Sequence, residues 1–88
     1  MPFAEQELDP EELAEAHYFL GLLYSLVEKF PEAVEHLKTA LAIFEEYEIL
    51  DRLAQSYNQL GIVEENAAEY TSALKAFTAS QKINEEIG

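Results

Sequence analysis

Residues 20–46 read LGLLYSLVEKFPEAVEHLKTALAIFEE, and residues 60–86 read LGIVEENAAEYTSALKAFTASQKINEE. Sliding the chain by 40 residues superposes residues 13–48 on residues 53–88. The pairs Leu13/Leu53, Ala14/Ala54, Leu20/Leu60, Gly21/Gly61, Ala33/Ala73, Ile43/Ile83, Glu45/Glu85 and Glu46/Glu86 are identical. Leu22/Ile62, Leu23/Val63, Phe30/Tyr70, Val34/Leu74, Leu37/Phe77 and Ala40/Ser80 are near-equivalents. The matches fall mostly on packing positions rather than on surface charges. Two copies of one helix–turn–helix unit explain that distribution.

Each copy reads as two helices. Asp9-Pro10-Glu11-Glu12 is a helix start: Asp9 can cap the free amides, Pro10 suits the first helical position, and Glu12 completes a capping box. Leu13, Ala16, Leu20, Leu23 and Val27 then recur at helical spacing, so the first helix is expected from residue 10 to about 28. Pro31, tolerated only in a first turn, opens a second helix that carries Val34, Leu37, Ala40, Leu41 and Phe44 to about Tyr47. A turn is expected from Glu48 to Asp51. A third helix carries Leu53, Ala54, Tyr57, Leu60, Gly61 and Val63. After a break near Ala68 and Glu69, a fourth carries Tyr70, Ala73, Leu74, Phe77, Ser80, Ile83 and Ile87. No segment alternates apolar and polar residues, so the class is all-α. Residues 1–8 are expected to be a loose leader, 9–48 the first unit and 49–88 the second.

Gly21 and Gly61 lie inside helical patterns, where Gly costs about 1 kcal/mol relative to Ala. Recurrence at one repeat position points to close approach of a neighbouring helix. Ala33 and Ala73, in the second helix of each unit, can supply the facing small residue.

At this point the chain resembles the tetratricopeptide repeat family. The first unit offers Leu20-Gly21, Tyr24, Phe30, Ala33, Leu37 and Ala40, and the second Leu60-Gly61, Tyr70, Ala73, Phe77 and Ser80. The resemblance covers residues 13–88. It departs from the family's pattern in its 40-residue period, against a usual ~34. Glu64 replaces the aromatic matched by Tyr24, and Glu28 and Ala68 stand where the family usually has Gly. The resemblance implies two stacked repeats of four antiparallel helices, a fragment of a right-handed α-solenoid. It also implies a non-enzymatic module that binds a peptide or protein along a concave groove lined by the first helix of each unit. The groove candidates are Glu15, Tyr18, Leu22, Ser25 and Leu26 in the first unit, and Gln55, Asn58, Ile62, Glu65 and Asn66 in the second.

Asp and Glu total 18 against 5 Lys and Arg, a net charge of −13. Such a chain repels phosphate backbones and anionic lipid, so neither nucleic acid nor membrane is expected as a partner. A basic or amphipathic protein segment is the electrostatic match. None of the five cations belongs to the groove set, which argues against a carboxylate clamp, and Glu15 and Glu65 favour a basic ligand. There is no cysteine, hence no disulfide and no thiolate metal site. No signal-peptide pattern opens the chain, and a cytoplasmic location is the default expectation.

The first helix is apolar nearly all round, from Tyr18 and Phe19 through Leu26 and Val27, whereas its repeat mate carries Asn58, Gln59 and Asn66. A helix apolar on every face expects burial on every face. A dimer contact, or burial by Phe3 and Leu8 of the leader, would satisfy it; so would a ligand. The last helix lacks a successor to cover it, so a homo-oligomer, in the first instance a dimer, is expected, with Phe19, Ala73, Ala76, Phe77 and Ile87 as contact candidates. Two other roles fit the same sequence. One is a structural segment of a longer solenoid; the other is a small acidic inhibitor or chaperone-like protein masking a basic surface.

Chemistry is not expected. His17 matches Tyr57 in the repeat and reads as a packing residue; His36 matches Ala76 and reads as a surface residue. Neither joins a nucleophile–base set, and Ser25, Ser56, Ser72 and Ser80 sit in no nucleophile motif. Carboxylate neighbours such as Glu45/Glu46 and Glu85/Glu86 point about 100° apart on a helix, a solvated face rather than an acid–base pair. No phosphate-cradling glycine loop occurs, and no cofactor is expected.

Overall fold

The computed structural model describes residues 9–87, so the leader and its Phe3 and Leu8 lie outside the described residues. Four helices follow one another: α1 Pro10–Leu26, α2 Phe30–Glu46, α3 Leu50–Asn66 and α4 Tyr70–Ile87. The first three have 17 residues each and the fourth 18. Among the described residues there is no strand.

The capping box forms as its spacing predicts. The Glu12 amide donates to Asp9 Oδ1 at 2.8 Å and the Asp9 amide to Glu12 Oε1 at 3.4 Å. The helix ends are set by backbone geometry rather than by marked residues. Glu28, Glu48 and Ala68 hold φ of 62°, 56° and 65°. At each, the left-handed residue's amide reaches the carbonyl three residues back, and the next amide reaches five back: Glu28 to Ser25 and Lys29 to Tyr24 in the first turn, repeated at Glu48/Ile49 and Ala68/Glu69. This paired closure satisfies carbonyls that a helix end otherwise strands. It ends α1 at Leu26 rather than near residue 28. It also puts the central link at Tyr47–Ile49 instead of residues 48–51, with Leu50 and Asp51 already in α3. Without a glycine to mark the left-handed site, the sequence hides that link.

Side chains at those three sites oppose the backbone, since the left-handed region costs a non-glycine residue about 1–2 kcal/mol. Part of that is offset by the extra chain entropy glycine loses on folding. Glu28→Gly, Glu48→Gly and Ala68→Gly are each expected to stabilise the fold by about 0.5–1 kcal/mol, read as a higher urea midpoint with unchanged slope.

Three-residue links force consecutive helices antiparallel. The pairs α1/α2 and α3/α4 pack most extensively, and α2 packs on α3 to join the two units. The core runs through Ala14, Ala33, Leu37, Ala40 and Phe44 into Leu53, Leu60 and Val63. A Cβ on Gly21 would lie 2.7 Å from Leu37 Cγ and 3.2 Å from the Ala33 carbonyl oxygen; one on Gly61 would lie 2.7 Å from the Phe77 ring. The glycines therefore admit a large side chain, Leu37 or Phe77, together with the neighbouring backbone at Ala33. The facing alanine side chain alone does not explain them. In the second unit the Ser80 hydroxyl adds a buried hydrogen bond, donating to the Ala54 carbonyl at 2.8 Å.

Candidate functional site

The side formed by α1 and α3 is tied together by an ion pair. Arg52 Nη2 lies 2.6 Å from Glu15 Oε2, and Arg52 Nη1 also donates to Gln55 Oε1 at 3.4 Å. Arg52 thus belongs to this side, contrary to the expectation that no cation does. The signal was available: Arg52 and Gln55 stand three apart, on one face of a helix. Being partly exposed, the pair contributes at most ~1 kcal/mol. Its larger consequence is that Glu15 is already neutralised, which leaves Glu65 as the free carboxylate of the set.

Leu26 is 79% exposed and Ile62 36% exposed, and Gln55, Asn58, Glu65 and Asn66 are exposed beside them. Leu22 and Ser25 are half-buried. Tyr18 is different: it is buried in the core and offers little surface to a ligand. Burial pushes its hydroxyl up from the ordinary tyrosine value, partly opposed by the Arg52 charge.

The contact candidates separate in the same way. Phe19 is 55% and Ile87 46% exposed. Phe77 is half-buried over Gly61. Ala73 and Ala76 are buried, so they do not form the open face of α4. That face carries Tyr70 and Leu74 instead, 65% and 67% exposed. The sequence placed both alanines on the apolar stripe, but a stripe does not say which neighbour covers it.

A cleft of about 470 Å³ lies where the start of α2 meets the α3–α4 link, lined by Phe30, Pro31, Val34, Asn66, Ala67, Ala68 and Glu69. Of the groove candidates only Asn66 reaches it. The small Ala67 and Ala68 leave this notch open.

His36 is not the surface residue expected of it. It is half-buried, with its Nδ1 2.9 Å from His17 Nδ1, the rings stacked at 5.1 Å, and Tyr24 stacked on its other face at 5.4 Å. One imidazole must donate and the other accept, so the contact holds a single proton. Burial, and then the His36 charge, push His17 below the usual histidine value. Below pH ~6.5 the unfolded chain therefore takes up a proton that folded His17 resists, and stability falls as pH drops. Glu64 acts in the opposite sense. It is buried with one oxygen unpartnered, and burial raises its pKa, opposed by Lys38 and reinforced by Glu69. Its contribution is lost as pH rises through the raised value. His17→Tyr, which installs the repeat mate's residue, is expected to remove the histidine part. Unfolding midpoints from pH 7 to pH 5 should fall less steeply in the variant than in the wild type.

Among the described residues no cluster of three or more His, Cys, Asp or Glu could hold a metal ion, and no helix is long and apolar enough to cross a membrane.

The two-unit geometry has a counterpart in known proteins: the tetratricopeptide repeat pattern matches residues 12–86. The chain belongs to the tetratricopeptide repeat family. Tetratricopeptide repeats are a protein-interaction fold, so a binding module is the functional class to which this member belongs. The chain is also similar to the transcriptional activator NprA of Geobacillus stearothermophilus, 30% identical over 81 residues. That similarity takes in 92% of this chain but 20% of NprA, so the chain spans about a fifth of that relative. No solved structure matches the chain.

Proposed function

We propose that this tetratricopeptide repeat chain is a non-catalytic interaction module. It holds a peptide or protein segment along the side formed by α1 and α3, in a cytoplasmic setting, and it self-associates. The observation that supports the binding reading is the mixed character of that side. Leu26 and Ile62 stand exposed as apolar anchors beside the amides of Gln55, Asn58 and Asn66. Anchors between polar groups suit an amphipathic helix or an extended peptide. With Glu15 paired to Arg52, attraction for basic residues falls to Glu65 and to the overall charge of −13, which steers encounter more than it fixes affinity.

The test is selection of a random displayed-peptide library on the wild-type chain. Enriched peptides should combine apolar residues with Lys or Arg. They should bind at least ~10-fold more weakly to a chain carrying Leu26→Asp and Ile62→Asp, both exposed positions whose change leaves the helical spectrum intact. Equal binding to that variant would overturn the reading. Binding that ignores the variant but vanishes at high salt would point to acidic masking of a basic surface. The likeness to one segment of a longer transcriptional activator favours a second reading, in which the two repeats serve as a segment of a longer array.

A further inference from the structure

Leu13, Ala16, Leu20 and Leu23 form one stripe along α1, continued by Val27 at its C-cap, at alternating spacings of three and four. Leu20, Leu23 and Val27 are 38%, 59% and 63% exposed. The stripe's register mates within α3 are covered, Leu53 being 6% exposed, Ser56 0%, Leu60 5% and Val63 0%, while Ala67, the mate of Val27 beyond the helix end, is half-buried. The same surface is thus used twice. In α3 it is buried in the common core; in α1 Leu23 and Val27 stay more than half exposed. Three–four spacing is the seam of two helices lying side by side, and this seam carries no charge. Exposed Phe19 flanks it.

Two elements of a second copy could fill the seam. The first is α4, the register mate of α2. It carries Gln81 and Asn84 where α2 carries Leu41 and Phe44, so it would lay two amides on the apolar stripe. Such head-to-tail stacking is also heterologous and leaves one open stripe at the end of every stack unless its rotation closes a ring. The second is α1 itself, running antiparallel. Leu20 then meets the partner's Leu23, and small Ala16 meets the partner's Val27. Lys29 of each copy comes to the acidic first turn of the other, and the helix dipoles oppose. One two-fold contact hides both stripes.

We propose that the α1 stripe is the antiparallel two-fold seam of a homodimer. The proposal rests on the self-association included above and names its surface. Outside the seam two copies of charge −13 repel, and salt screens that repulsion. The dimer therefore tightens as salt rises, the opposite of what a basic partner on this stripe would do.

Light scattering on the full chain over a ~100-fold concentration range, at low and high salt, tests this, because association follows mass action. The mass should rise from monomer to dimer and stop there, at lower concentration in high salt. Leu23→Glu should raise the dissociation constant at least ~100-fold by placing an unpaired charge in the seam. Leu74→Glu, at a site 67% exposed on α4, should leave the dimer unchanged. Since the chain has no native cysteine, oxidation of Ala16→Cys with Val27→Cys should give a covalent dimer, and Ala16→Cys alone should not. Crosslinking by Ala16→Cys alone would overturn the antiparallel arrangement. A dimer indifferent to Leu23→Glu, or growth past dimer abolished by Leu74→Glu, would overturn the seam while leaving self-association standing. A wild-type monomer at every concentration would overturn self-association and the seam together, without touching peptide binding on the α1/α3 side.

Discussion

Phe44→Ala is expected to cost about 3–5 kcal/mol, the usual range for deleting a buried ring. Phe44 is 1% exposed and is the largest fully buried side chain among the described residues. It sits in the core that α2 builds against α3, the only extensive contact between the two units among the described residues. Its loss leaves a cavity that neither unit can close by itself. A chain of this size holds roughly 4–13 kcal/mol in total, so this one substitution removes about a quarter or more of it. The repeat mate supplies the control. Asn84 occupies the same register position in α4 and is exposed, so Asn84→Ala should move stability by less than ~0.5 kcal/mol. Urea unfolding followed by circular dichroism measures both. Near-equal effects would show that α2 and α3 do not pack as described.

Gly21→Ala should destabilise by about 2–3 kcal/mol, although alanine is by about 1 kcal/mol the better helix former. The new methyl would stand 2.7 Å from Leu37 Cγ and 3.2 Å from the Ala33 carbonyl oxygen. Leu37 is fully buried, so it cannot swing clear, and the carbonyl belongs to α2's backbone. Relief requires α1 and α2 to move apart, which loosens every contact between them. For Gly61→Ala the three nearest atoms all belong to the Phe77 ring, with no backbone atom among them, and Phe77 is half-buried where Leu37 is fully buried. That substitution should cost less than half as much. Equal unfolding midpoints for the two variants would contradict the packing described for the first unit.

Sequence alone carried much of this. Helix patterns are local: an apolar stripe at three–four spacing, a proline in the first turn and the Asp9/Glu12 box need only a few neighbouring residues to be read. The 40-residue repeat then fixed four helices in two units, and Gly21 and Gly61 announced close packing because nothing else repays their cost in a helix. What the sequence left open were contacts between residues far apart in the chain. Which side of α4 faces α3 decided that Ala73 and Ala76 are core while Tyr70 and Leu74 are open. The pairing of α1 with α2 brought His17 to His36, nineteen positions apart. The approach of α3 to α1 gave Glu15 its partner Arg52, and so changed the charge of the proposed binding side. The turns were hidden for a related reason. Glu28, Glu48 and Ala68 adopt a backbone that glycine would have signalled, and they hold it because the helices on either side are locked by packing. Local periodicity determined what the elements are; the packing of helix against helix determined which of their faces are left for a partner.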